Sequence, residues 1–244
     1  IGHPKILRVI EIMAYKEIFN EFRLLGGTIE NIEIRKGEYG NGLFPIKNNE
    51  PVKIHIPENL LIPASNISIR NNHLVINDNS NIPPRIKEFF AQYQKQLSWG
   101  NGVFLNLLEN EINWCTLPEE IQNKIKQIFQ IYEDNKIFTF SSCDKILEQY
   151  ILTRSISYSL NSNESNICIM PIIELINHSN NGVDYRRSEG ILIDGTFNGE
   201  IFTNYNKLFD PIKFFLQYRF NTNSNIAYSL PVRLVYGLSL IHIS

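Results

Sequence analysis

Apolar residues recur at helical spacing at Ile10, Ala14, Ile18, Phe22 and Leu25, and Gly26-Gly27 ends the run, which predicts a helix over 5–25. The period then shortens to two. Ile32 and Ile34 alternate with Glu33 and Arg35 over 28–36, and Val52, Ile54 and Ile56 alternate with Lys53 and His55. Both segments read as half-buried strands. Between them, Gly37 to Gly42 reads as a turn that leads into Leu43-Phe44, and Pro57 to Ile62 closes the block. From 82 to 160 the helical period returns. Ile86, Phe89, Phe90, Tyr93 and Leu97 form one face behind Pro83-Pro84. Thr116 and Glu119, with Pro118 in the first turn, form a capping box ahead of Ile121, Ile125, Ile128, Phe129 and Tyr132. Ser141 or Ser142 is expected to cap a third helix through Ile146, Leu147, Tyr150 and Ile151. Such stripes are read as core. Gly100-Asn101-Gly102 is given no role.

The chemistry concentrates further on. Pro171 opens an apolar run, Ile172, Ile173, Leu175 and Ile176, that stops at Asn177-His178-Ser179, where the chain is expected to turn. Asp184 to Gly195 reads as a short turn and strand. Ile201, Thr203 and Tyr205 then alternate with Phe202 and Asn204, a strand ending in Tyr205. That order brings an amide, an imidazole and a phenol together, a set suited to a polar cofactor and a reacting amine. Phe214, Phe215, Tyr218 and Phe220 form an aromatic cluster behind it.

Composition narrows the function classes. The chain has 244 residues, 43% hydrophobic and 20% charged, enough for a full core in one large or two small domains. A net charge of -2 gives no electrostatic footprint for nucleic acid. No apolar run approaches the roughly 20 residues of a membrane span. Cys115, Cys143 and Cys168 are isolated, with no metal-ligand spacing, which favours a reduced, intracellular protein. No Gly-X-Gly-X-X-Gly opens a βαβ unit, which counts against a Rossmann-type cofactor site. The absence of an initiator Met and of a signal peptide suggests that Ile1 is not the native start.

Taken in order, these motifs resemble those of the SET-domain methyltransferases, in the class typified by the Rubisco large-subunit methyltransferase. The resemblance spans roughly residues 24–220. It rests on Gly40-Asn41-Gly42 before Leu43-Phe44, Pro57 to Leu61, Thr153-Arg154-Ser155, Asn177-His178-Ser179 and Tyr205. It implies an α+β SET fold: small twisted β-sheets, a large helical insertion and a C-terminal segment tucked through a preceding loop as a pseudoknot. The implied division is an N-terminal helix and N-terminal SET half over 1–80, a helical insertion over 81–165, a C-terminal SET half over 166–220 and the truncated start of a substrate-binding region over 221–244. Leu238 to Ser244 matches no family pattern and reads as a scar or truncation.

The same resemblance implies methyl transfer from S-adenosyl-L-methionine to a protein side-chain nitrogen, lysine first and histidine as the alternative. It places the cofactor on Gly40, Asn41, Gly42, Arg154, Glu174, Asn177 and His178, makes Tyr205 catalytic and calls for no metal. The expected partner is a protein substrate, without nucleic acid or membrane. The expected protein is a monomer, intracellular and cytoplasmic rather than nuclear. Three positions depart from the family: Thr153 stands for serine, Glu174 for aspartate and Asn206 for glycine. Glu174 and Asn206, with the missing C-terminal domain, keep open an inactive SET-like binding module.

Overall fold

The computed structural model of the protein describes residues 15–124, 127, 145–160, 164–205, 211–218 and 220. Its architecture is α+β, with short, mostly antiparallel sheets and a block of helices between them. Helix α1 over residues 15–24 buries Ile18, Phe19 and Phe22, the face expected from the spacing. The part of that expected helix before residue 15 lies outside the described residues. So do most of the stripe from Ile125 to Tyr132, the Ser141 or Ser142 cap, Asn206 and the segment after 220.

A four-stranded antiparallel sheet carries the centre of the core. Its order is β1 (Thr28–Glu30), β4 (Pro51–Pro57), β12 (Gly190–Thr196) and β11 (Arg186–Arg187). Val52, Ile54 and Ile56 of β4 are buried, opposite Gly195, Ile193 and Ile191 of β12. The period-two reading of β4 therefore holds, and two strands more than 130 residues apart in the sequence are joined edge to edge.

A hairpin pairs β2 (Ile32–Gly37) with β3 (Gly40–Pro45), Gly37 opposite Gly40. Only Glu38 and Tyr39 form the turn. Gly40, Asn41 and Gly42 lie in the returning strand, not in the turn expected from sequence. Two further small sheets follow, β6 (Ile67–Arg70) with β7 (His73–Ile76), and β5 (Ile62–Pro63), β9 (Glu164–Ile169) and β8 (Ser155–Leu160).

Helix α2 (Pro84–Gln96) starts with proline in its first turn, where the missing N–H has no helical partner to lose. It buries Ile86, Phe89, Phe90, Tyr93 and, less expectedly, Gln94. The Gly100-Asn101-Gly102 kink separates it from α3 (Phe104–Thr116), a helix the sequence reading did not single out. Helix α4 (Lys145–Arg154) buries Leu147, Tyr150 and Ile151 and delivers Arg154 at its last turn.

The organising stretch differs from expectation. The chain turns before Asn177, through a short helical turn at Ile173–Leu175. Asn177–Val183 is a strand, β10, paired in parallel with β13 (Phe202–Thr203). Polar Asn-His-Ser-Asn-Asn has little strand propensity, so this strand is set by its tertiary partner. Tyr205 falls two residues past β13, and α5 (Pro211–Tyr218) packs on α4.

Candidate active site

Three remote segments meet at the edge of β3. Ile201 N–H donates to Leu43 O at 2.8 Å, which locks the chain entering β13 against that strand. Asn177, on β10, donates from Nδ2 to Glu200 Oε1 at 2.6 Å and to Asn41 O at 3.3 Å. The two glycines of Gly40-Asn41-Gly42 serve different ends. Gly40 has φ +101° with open space around it, so its backbone needs glycine. A Cβ on Gly42 would strike the Glu200 carboxylate and come within 3.1 Å of Asn177 Nδ2. A side chain at Gly42 would therefore displace the Glu200 carboxylate and crowd Asn177.

His178 and Tyr205 form one unit. Tyr205 N–H donates to His178 Nδ1 at 3.2 Å, and His178 Nε2 lies 3.1 Å from Asn180 Oδ1. Nδ1 accepts, so the proton sits on Nε2. Burial lowers the imidazole pKa, against the opposing hydrogen bonds to Asn180 and the Thr203 backbone. The Tyr205 hydroxyl donates to Ile176 O at 2.8 Å. Burial raises its pKa to about 12, with the charges of Glu174 and Glu200 adding to the effect and Arg154 opposing it. The phenol is thus protonated at neutral pH.

Around this pair stands an aromatic wall. His178 packs on Phe214 with ring centroids 4.5 Å apart, and Tyr218 packs on Tyr205 at 5.0 Å. Phe214 is buried, whereas Phe215 points outward and Phe220 is exposed. Of the four aromatics grouped by sequence, Phe214 and Tyr218 form the wall and Phe220 joins it at its exposed side, its ring centroid 5.2 Å from that of Phe214 and 5.9 Å from that of His178. Tyr185 was not foreseen; burial raises its pKa well above the ordinary phenol value, with Tyr205 and Tyr218 adding to it.

Arg154 and Glu174 form the third part. Arg154 Nη1 donates to Glu174 O at 3.0 Å and lies 3.6 Å from Oε2 of the same residue. The Glu174 side chain is enclosed. It accepts from Tyr93 at 2.7 Å, from Gln94 at 3.3 Å and from Tyr150 at 3.1 Å on each oxygen. This network explains the buried glutamine of α2. Burial, then the Glu174 charge, raises both tyrosines well above their ordinary values. Burial works against the charge of Arg154, but Glu174 and the neighbouring phenols outweigh it, so the guanidinium stays charged. Its Nε is buried with no acceptor among the described residues, while a quarter of the side chain reaches the surface. Glu174 thus lies against Arg154 on one side and against Tyr93, Gln94 and Tyr150 of the helices on the other.

A strained backbone aims this part. Ile172, fully buried, has φ 73° and ψ -56°, and Ile173 N–H bonds to Pro171 O at 3.0 Å. That is a γ-turn of the positive-φ kind, rare for any residue and more so for a β-branched one. It turns the chain just ahead of Glu174 and Asn177.

Glu200, like Tyr185, was given no role in the sequence reading. Its signal was a single acid on a glycine, Gly199, at the entry to the strand that leads to Tyr205. Among the described residues, no group of three or more His, Cys, Asp and Glu is placed to hold a metal ion, and no helix is long and apolar enough to cross a membrane.

No protein-family model and no curated protein matches the chain. Solved structures do overlap it. The SET domain of LSMT bound to lysine and AdoHcy is 14% identical, with a TM-score of 0.45, over 85% of this chain and 57% of that one. Rubisco LSMT bound to sinefungin and monomethyllysine is 13% identical, with a TM-score of 0.46, over 86% of this chain and 56% of that one. Rubisco LSMT bound to AdoMet gives 13%, 0.44, 85% and 56%. The chain therefore spans less than three-fifths of the length of these proteins. Overlap of this size is a similarity, and it assigns neither family nor activity to this chain.

Proposed function

We propose that the protein is an S-adenosylmethionine-dependent protein methyltransferase of the SET fold, acting on a side-chain nitrogen, lysine in the first instance. The observation that carries the proposal is the meeting of Gly42, Asn177 and Glu200 at one strand edge, with Tyr205 tied to His178 next to Asn177. The parallel pairing of β10 with β13 supports the threaded topology of that fold. The division at residues 80, 165 and 220, the monomeric state and the intracellular, cytoplasmic location belong to the same proposal.

The residues present fit the cofactor. No described residue donates to Asn177 Oδ1, and Arg154 keeps an unused N–H. An acceptor and a cation are what the ammonium and carboxylate of an amino-acid group require. S-adenosylmethionine supplies, when bound, an electrophilic methyl group. The rest falls to the chain. Gly40, Asn41, Gly42 and Asn177 hold the amino-acid end, with Arg154 for its carboxylate and Glu174 keeping Arg154 in place. His178, neutral and fixed in one tautomer, orders the backbone beside Asn177. The aromatic wall desolvates the incoming amine, which lowers its pKa and favours the neutral nucleophile. Tyr205, protonated throughout, orients the amine rather than deprotonating it, and solvent takes the proton. Holding the reacting groups at attack distance is the main source of rate.

Calorimetric titration with S-adenosylmethionine, followed by labelled-methyl transfer to lysate proteins and mass spectrometry, tests the proposal. Methyl-lysine supports it, and methyl-histidine moves the acceptor to imidazole. Binding without transfer identifies an inactive binding module. Failure to bind refutes it.

A further inference from the structure

Glu200 lies in the site between Asn177 and the glycines of the hairpin. Its segment is fixed by the Ile201 bond to Leu43, and its carboxylate lies across Gly37 and Gly42, where a Cβ on either glycine would strike it. Among the described residues no Lys, Arg or His pairs with it; its hydrogen-bond partner is Asn177 Nδ2. That bond also fixes Asn177. Both amide hydrogens are directed at acceptors, Glu200 Oε1 and Asn41 O, which leaves Oδ1 as an acceptor with no donor among the described residues. Three acceptors thus gather at the strand edge: the Glu200 carboxylate, Asn177 Oδ1 and Asn41 O. A primary ammonium, with three donors and no acceptor, is their complement; a carboxylate or phosphate is repelled. Arg154 supplies the opposite sign, and Tyr205 feels the charges of both Arg154 and Glu200.

We propose that Glu200 binds the α-ammonium of the cofactor's amino-acid group, with Asn177 Oδ1 beside it, and so makes the site selective for a zwitterion. This inference rests on the reading of the protein as an S-adenosylmethionine-dependent enzyme. It assigns a role to a residue the motifs leave out. The carboxylate lies where a Cβ on either Gly37 or Gly42 would stand, so a side chain at either position would displace it.

The test uses two ligands, S-adenosylhomocysteine and its desamino analogue, in which hydrogen replaces the α-ammonium. Their affinities for the wild-type protein and for Glu200→Gln are measured by calorimetry or competition. Gln keeps the size and one acceptor but removes the charge. The wild type is expected to prefer S-adenosylhomocysteine by about ten- to a hundredfold, the scale of a charge-assisted hydrogen bond. Glu200→Gln is expected to lose about tenfold or more for that ligand, with affinity for the desamino analogue unchanged. An equal loss for both ligands, or no loss, overturns the inference and leaves the cofactor reading standing. Equal affinity of the wild type for the two ligands overturns it without any variant. A wild type that binds neither ligand overturns the cofactor reading, and this inference with it.

Discussion

Replacing Glu174 by glutamine isolates the charge of the buried network. The side chain keeps its size, and one oxygen still accepts from Tyr93, Gln94 and Tyr150. The other oxygen becomes an NH2 group facing Arg154 Nη1, a donor against a donor, where a carboxylate oxygen lay at 3.6 Å. Removing one partner of a buried ion pair costs roughly 3–5 kcal/mol, chiefly because a charge is left uncompensated. Two features place this case at the lower end. Arg154 keeps its 3.0 Å bond to the Glu174 carbonyl, and a quarter of its side chain is exposed. The expected loss is therefore about 3 kcal/mol, a fall in Tm of about 6–12 °C for a chain of this size. Urea unfolding followed by circular dichroism measures it. The double mutant with Arg154→Met identifies the cause: with the guanidinium gone, Glu174→Gln should cost at most about 1 kcal/mol. A loss below about 1 kcal/mol in the wild-type background, or the same loss with and without Arg154, refutes the reasoning.

Tyr205→Phe is expected to slow methyl transfer about 10²- to 10⁴-fold in single turnover, with cofactor affinity little changed; a wild-type rate removes Tyr205 from the chemistry. Gly42→Ala should weaken cofactor binding about tenfold or more by displacing Asn177 and Glu200. Gly40→Ala instead should cost about 1–3 kcal/mol of stability through its positive φ, and the reverse pattern contradicts the separate roles given to the two glycines. For His178, the lowered folded-state pKa sets the sign: the neutral ring is favoured in the fold, so stability is present above about pH 6.5 and lost as pH falls through the folded value. Melting curves between pH 5 and pH 8 should show a flatter profile for His178→Gln, and an unchanged profile counts against it.

Much of the fold was legible because apolar periodicity survives wherever one face meets the core. The strand through Val52, Ile54 and Ile56 and the helix through Phe89, Phe90 and Tyr93 were found that way. Asn177–Val183 was not, because its strand form is imposed by Phe202 and Thr203. Proximity of Asn177, His178 and Tyr205 was anticipated from their order. The burial of Glu174 was not, since a glutamate in an apolar run gives no sign of the two tyrosines and glutamine that enclose it. Ile172 hid its strain for a related reason: nothing in the letters Pro-Ile-Ile marks a positive φ, which the surrounding core alone enforces.

The place of β12 beside β4 bears on synthesis. β4 is complete at Pro57, but the strand that covers its second edge begins at Gly190. At roughly 5–20 residues per second, the ribosome needs about 7–27 s to make the intervening chain. Throughout that interval an alternating apolar strand, Val52, Ile54 and Ile56, offers an unpaired edge to other nascent chains. Aggregation during expression should therefore depend on how quickly translation reaches residue 196. Slowing the ribosome between codons 60 and 190 should lower soluble yield more than the same delay placed after 205, with the finished protein identical in both cases.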